Sequence, residues 1–453
     1  MELLKNLIDI FFGFKAYVML PFFIFIIALI VRMKISKAFI SSLKMGVGFA
    51  GIFIVFSFFV ENIKPAVEAI ITIRGLNFSV LDVGWPPLAA ITWSSSLAPI
   101  SILLIIAINI IMIVINRTKT IYIDIWNYWH LALAGAFILS TNDSLGLGLA
   151  AIVLITIYTI KMADWTAPHV EQQANLPGVT IAPVSVVGIL PFAVTMDYLY
   201  DRIPGFQKLD FNPEKDNRNV GLLSEPMIIG VIIGVLLGGT AGYAIKEILE
   251  LSIHLAAVMF LLPKCGQLIG DGISPVSEAL KEWIQDRFPA KQKLYVAVDT
   301  GVLMNNKSVM ITGLILMPIA LGISLILPGN RTLPLGDLPN LISIMAVTVL
   351  VSKGNVIRSV ITGVPIVATF LLISSKMAPL ITELSAETGI AFGDGQLITA
   401  FTDGGNHIRF YLLYLFQDNI LAIAIIPLIL AMMFLSYKRA EYLVSQEKSH
   451  DPE

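Results

Sequence analysis

Eight near-continuous apolar stretches decide what this chain can become: 16–33, 43–60, 97–115, 144–160, 227–245, 309–327, 357–374 and 418–436. Each approaches the roughly 20 apolar residues that a helix needs to cross a hydrocarbon layer about 30 Å thick. A shorter run, 251–264, is a further candidate. Two more, 127–140 and 338–352, open on polar residues, as helices broken at their starts do. Segments 179–199 and 394–416 differ again: one holds Pro183 and Pro191, the other Asp394, Asp403 and the pair Gly404-Gly405. Irregular backbone at membrane depth is tolerated only where protein or a water-filled cavity covers it, so both are expected as re-entrant hairpins. Composition agrees. Apolar residues make up 56% and charged residues 14% of 453, against about 45–50% and about 25% in soluble domains, and mean hydropathy is +0.83. The expected fold is an all-α polytopic membrane protein with about eleven transmembrane helices.

An odd number of crossings puts the termini on opposite sides, and the positive-inside rule chooses between them. With the N-terminus outside, most of the 30 basic residues fall in inside loops, among them Arg32, Lys34, Lys37 and Lys44, then Lys281, Arg287, Lys291 and Lys293, and finally Lys438, Arg439 and Lys448. The C-terminus is then cytoplasmic. The first apolar stretch lacks a small-residue cleavage site and is expected to be retained as a span. A net charge of −2 excludes a nucleic-acid partner. The single cysteine, Cys265, excludes a disulfide framework and a thiolate metal cluster, and is expected to be a packing thiol.

Self-comparison shows the chain written twice. Glu61-Asn-Ile-Lys-Pro65-Ala-Val-Glu68 resembles Asp271-Gly-Ile-Ser-Pro275-Val-Ser-Glu278, and Asp82-Val-Gly84 resembles Asp299-Thr-Gly301. Asn116-Arg-Thr118 recurs as Asn330-Arg-Thr332, Asp124 and Asn127 as Asp337 and Asn340, and Lys161-Met-Ala163 as Lys376-Met-Ala378. These matches keep one order at offsets between 210 and 217 residues. Five crossings per copy would turn the second copy upside down, the plan of alternating-access transporters that hold a solute at the midplane with broken helices from both halves. The expected divisions are a first inverted repeat over 1–178, a re-entrant hairpin and cytoplasmic loop over 179–225, a second inverted repeat over 226–393, a second hairpin with the last span over 394–436, and a cytoplasmic tail over 437–453.

Polar groups concentrate in the short runs, where a partnerless group in hydrocarbon costs several kcal/mol. The first half supplies Trp85-Pro-Pro87, Trp93-Ser94-Ser95-Ser96 and Asp124-Ile-Trp-Asn127-Tyr-Trp129-His130; the second supplies Asp299 through Asn305, Asn306, Lys307 and Ser308. Such aromatic, amide and carboxylate groups suit a neutral polyhydroxylated ligand, with rings covering its C–H faces and Asn, Gln, His and Asp bonding its hydroxyls. The linker Asp164 to Gly178 is equally rich in hydrogen-bonding groups, including His169, Glu171 and Gln172, and reads either as ligand-facing or as a wet interfacial loop. The same side chains also admit plainer roles: His130 as a helix-start residue bonded to backbone, Asp299 paired with Lys307, Asn305 and Asn306 as helix caps, and Asp403-Gly-Gly-Asn406-His407-Ile-Arg409 as turn chemistry. No P-loop, His-Glu-x-x-His or Gly-x-Ser-x-Gly motif occurs, so no catalytic residue, cofactor or metal site is expected; His169 and Glu171 lack the further ligands that a metal needs.

The ordered set Asp82-Val-Gly-Trp-Pro-Pro87, Thr120-Ile-Tyr-Ile-Asp124-Ile-Trp-Asn127-Tyr-Trp-His130, His169-Val-Glu-Gln-Gln-Ala-Asn-Leu-Pro-Gly178, Gly270-Asp-Gly-Ile-Ser-Pro275 and Thr402-Asp-Gly-Gly-Asn406 resembles the membrane subunit IIC of galactitol-type sugar phosphotransferase systems, within a wider family that includes the ascorbate permeases. The resemblance runs over essentially the whole chain. It implies a homodimer of eleven-span subunits in the cell membrane, in which a substrate-holding core moves against a dimerising domain. It implies cytoplasmic partners as well: a IIB subunit, phosphorylated on its own cysteine, that passes phosphate to the polyol, and a IIA subunit, recharged from phosphoenolpyruvate, that serves IIB. It carries Trp85, His130, His169, Gln172, Asp299 and Asn306 over as substrate contacts, beside Trp93, Asp124, Asn127, Glu171, Asn305 and Asp403 from the residue reading. The rival is an ion-coupled secondary transporter of a sugar or polyol, with Asp299 and Asp124 as its ionisable groups.

Overall fold

A computed structural model of the chain describes residues 16–74, 78–213, 226–287, 294–303, 306–389 and 395–450. Helices account for most of them. The first half runs α1 (Ala16–Ile30), α2 (Ile35–Arg74), β1 (Val80–Asp82), α3 (Trp85–Trp93), α4 (Ala98–Val114), β2 (Thr120–Ile121), a 3-10 turn (Ile125–Tyr128), α5 (Trp129–Asn142) and α6 (Leu145–Ala174). Next come β3 (Val179–Ile181), α7 (Val184–Val187) and α8 (Leu190–Tyr200). The second half has α9 (Pro226–Thr240), α10 (Ile245–Arg287), β4 (Tyr295–Val298), α11 (Lys307–Ile326), β5 (Thr332–Leu333), α12 (Leu341–Ile344), α13 (Ala346–Val351) and α14 (Val356–Glu387). It closes with β6 (Leu397–Thr399), α15 (His407–Phe416), α16 (Ile420–Ala424) and α17 (Ile426–His450).

Among the described residues, four helices are long and apolar enough to cross a membrane: the Ile35–Ile63 part of α2, α6, α11 and α14. The pair α3–α4 adds a fifth if its 93° bend counts as one broken span. Several helices differ in extent from the apolar runs that announced them. The run 43–60 lies inside the 40-residue α2 and 251–264 inside the 43-residue α10. At about 1.5 Å per residue each spans some 60 Å, twice the hydrocarbon thickness, because charged sequence continues the helix beyond its apolar middle. The run 418–436 is split at Ile425 into α16 and α17. The two segments expected as hairpins each start as a strand and continue as short helix: β3 with α7 and α8, and β6 with α15.

Helices α1, α2, α9 and α10 pack together as one group. Small residues set their spacing. A Cβ at Gly48 would strike Ile269 and the Cys265 carbonyl, and one at Gly272 would strike backbone of Ser41 and Met45, so α2 and α10 run antiparallel in near-backbone contact. Gly230, Gly234 and Gly238 lie one helical turn apart on α9 and meet Ala256, Ser252 and Ile248 of α10 in reverse order. Small residues at that spacing let helices approach closely in lipid, where the hydrophobic effect supplies no attraction between them. The Cys265 thiol fills the space above Gly51.

The remaining helices surround two three-stranded parallel sheets, ordered β5-β1-β6 and β2-β4-β3. The strands are two to four residues long and rich in Val, Ile, Leu and Thr, too short to show an alternating pattern in sequence. Each sheet draws on both halves of the chain: β1 pairs with β5 (Val80 beside Thr332) and β6 (Leu81 beside Ile398), while β4 pairs with β2 (Tyr295 beside Thr120) and β3 (Ala297 beside Thr180). These ladders satisfy backbone groups that the broken helices leave unpaired inside the protein. The helix group and the sheet-bearing part meet where α3 and the 3-10 turn pack on α2 and α10. There the Trp85 ring rests on Gly266 of α10, edge-on to Trp126 at 6.1 Å, and Trp126 is edge-on to Phe49 of α2 at 6.2 Å.

Candidate functional site

The polar groups gather at the carboxyl ends of the strands. Asp82 ends β1, and its carboxylate is fully buried. Its Oδ1 accepts the backbone N–H groups of Gly84 (3.2 Å) and Phe401 (2.9 Å); its Oδ2 accepts those of Leu335 (2.8 Å) and Asp337 (3.1 Å). One side chain thus pins the turns that leave β1, β5 and β6. Gly84 holds φ +78°, and a Cβ there would press on the Gly336 carbonyl, so the turn needs glycine on both counts.

Asp337, also fully buried, extends the network. Its Oδ1 accepts the Trp85 N–H (3.0 Å), and its Oδ2 accepts the Thr402 N–H (2.9 Å) and the Thr402 hydroxyl. Asn340 Nδ2 donates to Thr402 Oγ1 (2.9 Å) and to Asp403 Oδ2 (3.3 Å). Asp403 is 1% exposed and faces Arg409, 2% exposed, a burial that such charges accept only when paired. Arg409 Nη2 donates to Asp403 Oδ1 at 2.9 Å and to the Asp403 carbonyl. Its Nη1 donates to the His130 carbonyl at 3.2 Å. The His130 ring stacks on Trp129 at 3.8 Å between centroids. Its Nδ1 lies 3.2 Å from Asp403 Oδ1 and 3.3 Å from Arg409 Nη1. A carboxylate only accepts and a guanidinium only donates, so that nitrogen serves one partner at a time and its proton decides which.

A second constellation sits at the tip of the β2-β4-β3 sheet. Asn127 Nδ2 donates to Asp124 Oδ2 (2.8 Å) and to Asp299 Oδ2 (3.2 Å), so one amide group joins carboxylates from the two halves. Asp299 Oδ1 accepts the Gly301 N–H at 2.8 Å, the same two-residue turn that Asp82 makes with Gly84. Burial separates the two tips: Asp299 is exposed and Asp124 partly so, whereas Asn127 beneath them is 2% exposed. Asn127 and His130 are three residues apart where the 3-10 turn runs into α5, which links the two constellations.

Of the residues singled out in the sequence, Asp124, Asn127 and Asp299 come together, as do His130 and Asp403, and Trp85 joins through its backbone N–H. Trp93 is buried at the end of α3, its indole N–H without a partner among the described residues. His169, Glu171 and Gln172 lie in the last turns of α6, away from both tips: Gln172 donates to the Leu443 carbonyl of α17 at 3.1 Å, and His169 is buried with Nε2 unpartnered among the described residues. Asn306 caps α11, accepting the Val309 N–H at 3.0 Å. Asn305 lies outside the described residues. In the sequence, Asp337 and Asn340 stood out only as repeat markers, Asp82 as a repeat marker and the first residue of a family motif, and Thr402 and Arg409 only within short motifs. The signal that could have found Arg409 is a charged residue within an otherwise apolar segment, which marks function or a buried pair.

Comparison with known proteins gives the family of the chain. Residues 10–395 match the family of PTS system sugar-specific permease components, EIIC-GAT. The chain is 33% identical over 433 residues to the PTS system galactitol-specific EIIC component of Escherichia coli strain K12, covering 95% of this chain and 96% of the relative. It is 31% identical over 388 residues to a putative permease IIC component of the same strain, covering 85% and 89% respectively. With apolar spans, broken helices and a polar centre in one helical membrane protein, the chain belongs to the EIIC-GAT family of phosphotransferase-system sugar-specific permeases.

Proposed function

We propose that this chain is the IIC subunit that carries galactitol, or a closely related neutral polyol, through the cell membrane and presents it to a phosphorylated cytoplasmic IIB subunit. The observation that carries the reading is the Asp124–Asn127–Asp299 constellation, in which Asp299 is exposed, Asp124 partly so, and Asn127 buried beneath them. Carboxylates accept hydroxyl protons and amides do both jobs, a match for vicinal hydroxyls and a poor one for an anion. The galactitol-specific relative of strain K12 supports the substrate. Phosphorylation would add a charge of about −1.5 to −2, and two carboxylates would repel it, so the product would leave inward and not return.

The reading extends to the architecture. It comprises eleven spans, two inverted repeats over 1–178 and 226–393, and an N-terminus outside with the C-terminus in the cytoplasm. The reciprocal sheets, β1 among β5 and β6 and β4 among β2 and β3, support the repeat. The α1–α2–α9–α10 group is proposed as the dimerising scaffold and the rest as the moving core, with Trp85, Trp126 and Phe49 at the sliding surface. A IIA subunit would recharge IIB.

The test is a thermal-shift series on the purified protein with galactitol, other alditols, ascorbate and hexoses. Stabilisation by galactitol supports the reading; stabilisation by ascorbate alone overturns the substrate. Uptake into proteoliposomes that persists with proton and sodium gradients collapsed, while IIB and its phosphate supply are present, separates this mechanism from ion coupling through Asp124 and Asp299.

A further inference from the structure

A cavity of about 570 Å³ lies at the starts of β2 and β4, between the end of α4, the β2 edge, the later half of α6 and one face of α17. Two acids line it, and both are already neutralised. Asp164 Oδ1 accepts from Thr118 Oγ1 (2.8 Å), Lys119 N (3.0 Å) and Thr120 Oγ1 (2.8 Å), and its Oδ2 pairs with Lys161 Nζ at 2.7 Å. Glu441 takes the Tyr437 hydroxyl on one oxygen and Lys438 Nζ, at 2.9 Å, on the other. What remains is Arg117 and Lys119. Both are exposed, and neither side chain has a partner among the described residues. The helix end aims them: Asn116 takes φ +55°, and the Arg117 N–H bonds back to the Met112 carbonyl at 2.8 Å, which turns the chain out of α4. Trp165 and Tyr437, 6.0 Å apart, form an aromatic wall, and Lys161 donates to the Arg117 carbonyl at 3.0 Å, which holds the rim.

We propose that this cavity binds a phosphate group through Arg117 and Lys119. Two uncommitted cations over a paired floor leave a local charge of two positive units, and guanidinium and ammonium groups are the donors that phosphate oxygens select. A basic pocket walled by aromatic rings at the ends of membrane helices suits either an anionic phospholipid headgroup or the phosphate of a soluble ester. The site does not depend on the polyol reading, because none of its residues belongs to either tip.

The experiment uses the full chain purified in uncharged detergent. Its melting temperature is followed against inorganic phosphate, with chloride matched for ionic strength to remove screening. In parallel, the chain is placed in nanodiscs of phosphatidylcholine with and without phosphatidylglycerol. Wild type should gain stability from phosphate, from phosphatidylglycerol or from both. Arg117→Gln with Lys119→Gln should weaken the response about thirtyfold, while Arg117→Lys with Lys119→Arg keeps it. A response to phosphate without one to phosphatidylglycerol assigns a free phosphate ester; a response to phosphatidylglycerol, with or without one to phosphate, assigns the headgroup. The galactitol shift should be equal in all three proteins, so failure of the polyol reading is read separately. No response above chloride in either medium, or an unchanged response in the Gln variant, overturns the proposal.

Discussion

At the tip of the β5-β1-β6 sheet, Asp82 is fully buried and its two oxygens hold four backbone N–H groups from three turns. At the tip of the β2-β4-β3 sheet, Asp299 is exposed and holds one backbone N–H, from Gly301, with a share of the Asn127 amide. The local turn is the same, Asp-x-Gly in both. What differs is the number of donors that converge on it. A saturated buried carboxylate can offer a solute nothing without breaking the backbone around it, because orphaned buried donors are costly. An exposed one keeps lone pairs in reserve. The comparison assigns anchoring to the first tip and proposes solute contact for the second.

That contrast can be broken by mutation. The largest effect is expected at Asp82→Ala, which orphans four buried donors at about 1–3 kcal/mol each; the protein should not survive purification as a monodisperse species, judged by size exclusion and thermal melting. Arg409→Met leaves Asp403 buried without its cation and should cost about 3–5 kcal/mol, seen as a drop in melting temperature. Pairing it with Asp403→Leu should recover part of that loss, since apolar replacement of a whole buried pair is often neutral. Asn127→Ala removes the amide between two carboxylates. It should lower galactitol affinity about tenfold, the worth of roughly one hydrogen bond to a charged group, with a smaller stability loss. Gln172→Ala should cost about 1 kcal/mol by freeing the Leu443 carbonyl and leave galactitol affinity unchanged, which a binding titration checks.

The sequence revealed apolar helices better than their ends. Residues 43–60 and 251–264 are apolar, but α2 and α10 continue through Glu61, Asn62 and Glu282, past Pro65 and Pro275 respectively, which local sequence would read as helix ends. The strands stayed hidden for a different reason. Thr120-Ile121 and Thr332-Leu333 become strands only by pairing with β4 and β1, far away in sequence. The site divides in the same way. Asp124, Asn127 and Asp299 stood out as polar groups in apolar surroundings. Arg409 read only as turn chemistry beside Asp403, six residues away, and its second partner, His130, lies 279 residues away. Asp82 is held by Phe401, 319 residues away, so its role as an anchor depends on tertiary contacts that no local pattern encodes.

The most direct test of the open tip is galactitol binding to Asp299→Asn, measured by calorimetry beside wild type. Loss of a charged acceptor at an exposed position should weaken binding about tenfold or more, while the melting temperature without ligand stays close to wild type. Unchanged galactitol affinity in a folded Asp299→Asn protein would contradict the account.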